Sequence, residues 1–492
     1  MFFTPISDNT ELIIKMLDSS EVSDKQFLEH EIGKWLESPK RKEMVTGFNY
    51  YGGIQDILFR EREVIGKDGK LEPVYNLPNN KIVDNLYAKM VDQKVNYLLG
   101  NEITIKCDNE QKAEQVREAL GADFDALMRE VMSDTLNAGI GWLYVYYGED
   151  GKLAFRRIEP WEVIPFFKDS ARTDLQFALR VFDVDVYDGG TDKRETHVEL
   201  YTKEGIQRFI LEGGVLTPDV ENEGHGYIRI QNEEGVAEYG WDKVPLIPFK
   251  SGPRELSLIS RVKSLQDAIN EAMSDFQNRM QEDCRNTIIV LKNYDGTDLG
   301  EFRQNLSTYG AVKVSSFDGG DGGVSTLQVD VNAENYQAVL SMLKAALIEN
   351  ARGFDNKDDR LNGNPNEMNI QSAYADIDLD SRTTELEFQT SLEQLMWFIN
   401  GGEDDSASDK VEFIFNRSMM LNESADIEKC VKSQGMISDE TLLARHPFVD
   451  DVNEELKRLA EQKEKQVQFM SGYDSAHTDQ VVEEETETNE QP

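Results

Sequence analysis

The sequence predicts a multidomain α+β protein in which an antiparallel-sheet half precedes a half built on long amphipathic helices. Three observations lead there. At 492 residues the chain exceeds what one compact core accommodates. Up to about residue 250 helical stripes give way to short β-type runs. From Pro253 to Asn400 the order becomes helix, Gly-rich β insert, helix, polar loop, helix.

Asp8 to Leu36 is charged and helical in pattern. Arg41 to Lys70 carries Phe48, Tyr50, Tyr51 and Phe59 and ends in a Lys-Asp-Gly-Lys turn. Asn76 to Gly100 reads as one helix: Val83, Leu86, Met90 and Leu98 fall near a stripe, Asn79 or Asn80 supplies a cap, and Gly100 a stop. A second helix covers Ala122 to Asn137 and ends at Gly139 and Gly141. The period then shortens. Trp142 to Tyr147 and Leu153 to Ile158 form a hairpin around Gly148 to Gly151. Further strands are expected at Phe177 to Val184, His197 to Thr202, Gln207 to Leu211 and Tyr227 to Gln231. Pro245 and Pro248 keep Val244 to Phe249 extended, as an exit from the sheet domain.

From Pro253 helical spacing returns. Leu258, Val262, Leu265, Ile269, Ala272, Phe276 and Met280 make one stripe, about 34 Å long at about 1.5 Å per residue. Thr287 to Leu291 is strand-like, and Asp295-Gly296 and the Gly-rich run Asp318 to Gly323 are turn chemistry. A helix resumes at Ala333 with Tyr336, Leu340, Leu343 and Leu347 on one face, and stops at Gly353. Asp355 to Asn369 is a polar loop, and a third helix runs from Ile370 to about Asn400. Asp376, Asp378 and Asp380 interrupt its apolar pattern, which predicts a kink or a face turned to water. Beyond an acidic linker, Val411 to Asn416 is β-like, and helices are expected at Ser424 to Ser433, Ser438 to Ala444 and Val452 to Gln468. The tail from Ser471 to Pro492 is too polar to fold.

Composition excludes several functions. A net charge of -41 argues against wrapping nucleic acid, which takes Lys and Arg to displace counterions. It fits either simple solubility or a surface that must not stick to a passing polyanion. Cys107, Cys284 and Cys430 form no C-x-x-C pair, which suits a reducing compartment and gives neither a disulfide framework nor a zinc pattern. No secretory signal and no apolar run near about 20 residues is present, so a soluble intracellular protein without membrane partners is expected. The Gly-rich run lacks the Lys of a phosphate loop, and no twelve-residue calcium loop or Gly-x-Ser-x-Gly elbow occurs. No enzyme activity, cofactor or metal is predicted. On a regular helix two residues turn the side chain by about 200°, so Asp376 and Asp380 share a face that Asp378 opposes. They read as exposed surface or as a negative wall along a channel.

Four motifs in order carry a family resemblance. Asn76 to Asp84 with Lys94 to Gly100 resembles the wing-helix signature of portal proteins from tailed bacteriophages, above all those of long-tailed phages infecting Gram-positive bacteria. Leu291 to Gly296, followed by Tyr309 to Val314, is similar to their clip. Asn364-Pro-Asn and Ile370 to Phe388 resemble the tunnel loop and tunnel helix, and Gly435 to Leu443 with Pro447 to Asp451 the crown. The likeness covers residues about 40 to 460.

The resemblance implies a portal fold: an α/β wing (1–252), stem helices (253–284 and 331–353) flanking a small α/β clip (285–330), a tunnel loop (354–369), a long kinked tunnel helix (370–400), a mostly helical crown (401–468) and an acidic tail (469–492). It implies a homo-oligomeric ring, usually of twelve copies, at one capsid vertex of the virion, assembled in the host cytoplasm. Terminase would drive double-stranded DNA in through the ring, and DNA would leave by it on infection. Scaffold protein, major capsid protein and head-completion or adaptor proteins would be further partners. Asp355, Lys357, Asp358, Asp359, Arg360, Asn364, Asp376, Asp378 and Asp380 would line the channel, with Lys357 and Arg360 touching the DNA backbone. Lys292, Tyr294, Asp295, Phe302, Arg303 and Tyr309 would face terminase or adaptor from the clip. The rival reading is a non-viral oligomeric scaffold or adaptor through which no DNA passes.

Overall fold

The computed structural model describes residues 25–65, 69–75, 77–148, 150–169, 171–188, 190–220, 222, 224–232, 235–283, 288–292, 323–327, 333–355, 367–403, 410–417, 427, 430–443, 449, 452 and 455–462. The chain divides into two compact units, one of residues 1–355 with 376–418 and the other of residues 356–375 with 419–492.

In the first unit Lys25–Glu37 (α1) and Pro39–Tyr51 (α2) are followed by a short hairpin, Glu63–Ile65 (β1) and Leu71–Pro73 (β2). Leu86–Leu99 (α3), Thr104–Lys106 (β3), Glu110–Leu120 (α4) and Phe124–Ala138 (α5) come next. Gly139 ends α5 in the left-handed region at φ 87, and a Cβ there would lie 2.1 Å from the Glu255 carbonyl oxygen, so only glycine fits. The predicted hairpin is present as Ile140–Tyr147 (β4) and Leu153–Ile158 (β5).

Val163–Phe167 (β6), Leu175–Asp188 (β7), Thr191–Tyr201 (β8), Ile206–Glu212 (β9) and Val215–Pro218 (β10) form a five-stranded antiparallel meander. Its alternation buries Phe177, Leu179 and Val181 on one face, where Leu28 and Ile32 of α1 complete a small core. Ala178 points the other way, into the main core. Ile228–Asn232 (β11) and Gly235–Tyr239 (β12) pair as a separate hairpin. Leu246–Lys250 (β13) is extended as expected and leads on to the long helices, but it is itself a fully buried strand paired with β4, with its Pro248 at the sheet edge.

Leu258–Asp283 (α6) carries the predicted apolar stripe, buried at Leu258, Val262 and Ile269 and exposed by Met280. Ile288–Lys292 (β14) pairs antiparallel with Gly323–Leu327 (β15), so Gly323 opens a strand; the rest of the predicted Gly-rich turn lies outside the described residues. Ala333–Asn350 (α7) turns Tyr336, Leu340, Leu343 and Leu347 inward as expected, and Tyr336 meets Phe276 of α6 with ring centroids 5.0 Å apart. Glu367–Ile399 (α8) is one helix of 33 residues through all three aspartates. Glu412–Ile414 (β16) pairs with β3. In the second unit the described residues include Asp439–Leu443 (α9) and a bridge between Gln434 and Ile437. The helix expected over Asp8 to Leu36 is seen only from Lys25, and most of the helices expected after Ser424 lie outside the described residues.

One expectation fails in an instructive way. Residues 77–85 are not helical; α3 starts at Leu86, with Asn85 and not Asn79 or Asn80 as its cap. The amides of the preceding segment bond to α6 instead. Asn80 donates to Asn278 Oδ1 at 2.7 Å, Ile82 to Ser274 Oγ at 2.9 Å, Asp84 to Asn270 Oδ1 at 3.0 Å and Tyr87 to Gln266 Oε1 at 3.0 Å. Alternate amides of an extended chain recur every ~6.6 Å and every fourth helical residue every ~6.0 Å, so the two run nearly in step. The four side chains on α6 are all buried. Asn270 also donates to Gln55 Oε1 at 2.5 Å and accepts from Gln266 Nε2 at 3.0 Å.

Replacing Asn270 by Leu strands the Asp84 amide, Gln55 Oε1 and one Gln266 donor. The expected loss is about 3 kcal/mol in urea unfolding, against under about 1 kcal/mol for exposed Asp275→Ala one turn away. Equal midpoints would show that the ladder contributes nothing.

Candidate functional site

The acidic stretch of α8 is anchored most extensively through Asp380. Asp380 accepts from Lys94 Nζ of α3 at 2.8 Å, from Arg261 of α6 at 3.2 Å and from Arg352, just past α7, at 2.9 Å. Lys94 is 2 % exposed and also donates to the Arg352 carbonyl at 3.1 Å. Beside it Gln93 brackets Phe354, donating to its carbonyl at 2.7 Å and accepting from its amide at 2.8 Å. Helix α3 thus holds the chain as it leaves α7. The approach is close: a Cβ on Gly353 would lie 2.4 Å from Met90 Sδ, and Arg352 takes φ 52 to make the bend.

The electrostatics follow from burial and pairing. Burial alone would raise the Asp380 carboxyl, but Lys94 and Arg261 hold it below the usual carboxylate range. Burial lowers the Lys94 ammonium, and Asp380 opposes that shift. Asp378 is bound by Arg417, by Arg382 at 3.1 Å and by the Tyr97 hydroxyl at 2.9 Å; Arg417 also grips Glu385. Asp376 is exposed.

The three aspartates are therefore not equivalent. Two are tied into the unit by cations from α3, α6, α8 and the segments after α7 and β16, and one faces out. Of the other predicted channel residues, Asp355 is half-buried at the end of the Gln93 clamp, while Lys357, Asp358, Asp359, Arg360 and Asn364 lie outside the described residues. Of the clip residues, Lys292 ends β14 opposite Gly323, and Tyr294, Asp295, Phe302, Arg303 and Tyr309 lie outside them. Sequence reasoning missed Gln93, Lys94, Arg261 and Arg352. Lys94 had a signal: it sits in the apolar stripe of Met90, Val91, Val95 and Leu98, where a cation needs a buried partner.

A second buried carboxylate behaves oppositely. Asp134 of α5 meets Arg157 at 2.7 Å, but Arg157 is shared with Glu159 and Glu130. Burial pushes Asp134 up to about 8, against Arg157 and helped by the two glutamates. Among the described residues no cluster of His, Cys, Asp and Glu could hold a metal ion, and no helix is long and apolar enough to cross a membrane.

In sequence this chain is similar to one class of protein, the portal proteins of bacteriophages. The family described as "Phage portal protein, SPP1 Gp6-like" matches residues 37–468, and this chain belongs to it. It is 29 % identical over 446 residues to the portal protein of Bacillus phage SPP1, covering 88 % of this chain and 86 % of that one. It is 26 % identical over 447 residues to the portal protein of Clostridium phage phiCD119, covering 88 % and 96 %.

Two measurements check the electrostatics. Asp380→Asn leaves Lys94 buried without a counter-charge and should cost about 3–5 kcal/mol, whereas Lys94→Met leaves Asp380 with two arginines and should cost about 1 kcal/mol. The reverse order in urea melts would refute the assignment. The depressed Asp380 carboxyl contributes stability that is full above its unfolded value near about 4 and fades as pH falls through its lower folded value. Asp134 has the opposite sign. Its unfolded carboxyl loses the proton near about 4 and its folded one only near about 8, so its contribution to stability falls as pH rises through that window. Asp134→Asn should therefore narrow the Tm difference between about pH 5 and about pH 9.

Proposed function

We propose that copies of this chain, twelve in the family's usual arrangement, close into a ring at one capsid vertex and act as a structural conduit for double-stranded DNA. The observation that carries this reading is a family match running from residue 37 to residue 468, across nearly the whole chain. Membership of a phage family leaves a non-viral adaptor without support. In this reading the ring is built in the host cytoplasm beside scaffold and major capsid protein, terminase drives DNA in through it, and head-completion proteins follow.

The chain would divide as the resemblance implies, with α6 and α7 as stem, β14 and β15 as the base of the clip, and α8 as tunnel helix. Lys292, Tyr294, Asp295, Phe302, Arg303 and Tyr309 would meet terminase or adaptor. Asp355, Lys357, Asp358, Asp359, Arg360 and Asn364 would come from the tunnel loop, and α8 would present Asp376 to the lumen. Asp378 and Asp380, paired within one protomer, would contribute field more than contact. Twelve chains of net charge -41 would repel phosphates, which is what a conduit requires of its wall.

Mass photometry should find a closed species of about 650–700 kDa from protomers of 56.0 kDa, and a dimer or tetramer would count against the ring. Asp376→Lys should leave that species intact while lowering DNA packaging at low salt, with recovery as salt screens the new attraction. Packaging indifferent to both the substitution and the salt would remove Asp376 from the lumen.

A further inference from the structure

We propose that Gln93 and Lys94 are positioning residues for DNA passage: one turn of α3 fixes the chain leaving α7 to a set place relative to Asp380 on α8. The inference rests on the conduit reading for its functional consequence but on geometry for its substance. Phe354 is held through both its amide and its carbonyl by one side chain, Gln93. Two simultaneous bonds to one residue, on the peptide planes either side of its Cα, define position and orientation together, as a single bond does not. The adjacent Lys94 joins the Arg352 carbonyl to the Asp380 carboxylate through one nitrogen. Arg352 closes the triangle by pairing with Asp380 itself. Residues 352–354 and Asp380 are thus tied to the same two residues of α3, with Gly353 pressed against Met90.

Stability alone does not account for this arrangement. An apolar side chain at position 94 would suit the stripe it interrupts, and an ammonium there carries a desolvation penalty that its pairing must first offset. What the polar clamp adds is location. Any displacement of α3 would carry residue 354 and Asp380 with it, and Asp355 follows directly.

The test compares Gln93→Met with Tyr87→Phe in full-length rings, both substitutions being on α3. Tyr87 donates from its hydroxyl to buried Asn137 Oδ1 of α5 at 2.7 Å rather than to residues 352–354, so its loss is a stability control on the same helix. Hydrogen exchange over residues 351–355 and nuclease-protected DNA in particles assembled with each ring are measured. Gln93→Met should speed exchange of the Phe354 amide at least tenfold and cut protected DNA at least tenfold. Tyr87→Phe should keep protected DNA within twofold of wild type at an equal or lower Tm.

Unchanged Phe354 exchange overturns the clamp. Wild-type DNA in Gln93→Met particles, or losses in both variants that track Tm, overturns the positioning role. Failure of Gln93→Met alone to close rings also overturns it, by assigning Gln93 to assembly. If wild-type rings protect no DNA, the conduit reading fails instead, and the exchange result still decides the clamp.

Discussion

The arrangement of the first unit depends on a buried polar ladder. Gln266, Asn270, Ser274 and Asn278 stand every fourth residue along α6 and present acceptors to alternate amides of residues 80–84 and to the first turn of α3. An extended segment normally satisfies its amides against another strand. Here a helix supplies the partner edge through side chains. Because the acceptors are discrete, sliding the segment by one residue would point the wrong backbone groups at them, so the ladder fixes register as well as contact. Gln55 and Asn85 extend the network to α2 and to the cap of α3, where Asn85 Oδ1 accepts from both Gln55 Nε2 and the Ala88 amide.

That register decides where α3 begins, and hence which of its residues face α7 and α8. With the helix starting at Leu86, Met90, Gln93, Lys94 and Tyr97 come round to the chain after α7 and to the acidic turn of α8. A later or earlier start by one residue would rotate the helix by about 100° and take Lys94 out of reach of Asp380. The ladder and the carboxylate cluster are therefore serial: the first sets the rotation that the second uses. In a chain of net charge -41, Lys94, Arg261, Arg352, Arg382 and Arg417 are gathered on two aspartates of one helix.

Much of this was legible in the sequence, and the boundary of legibility is physical. The β4–β5 hairpin, the meander strands, the apolar stripe of α6 and the inward face of α7 follow from periodicity, because burial of one face needs no knowledge of the partner. The start of α3 did not follow. Asn79, Asn80 and Asn85 are equally good caps locally, and the choice is made by side chains almost two hundred residues away on α6. The polar stripe on α6 was visible as Gln266, Asn270, Ser274 and Asn278, but polar residues at helical spacing ordinarily mark a solvated face. For the aspartates of α8, the exposed reading holds at Asp376 and fails at Asp378 and Asp380, whose cations the spacing does not show. An Asp on a long helix reads as exposed unless its cations can be named, and these lie on four other segments.

The contrast between Asp376 and Asp380 bears on what an acidic helix could do in the proposed conduit. A carboxylate serving as repulsive wall must stay ionised and unpaired toward the lumen, and a carboxylate serving as anchor must be neutralised by its own protomer. One residue cannot do both well, since pairing cancels the field that repulsion needs. Four residues apart on one helix face, Asp376 is exposed and Asp380 is bound by three cations. Anchoring one turn of the helix keeps the charge on the adjacent turn at a fixed place, and in the proposed conduit a fixed charge would repel a passing polyanion without being dragged toward its counterions.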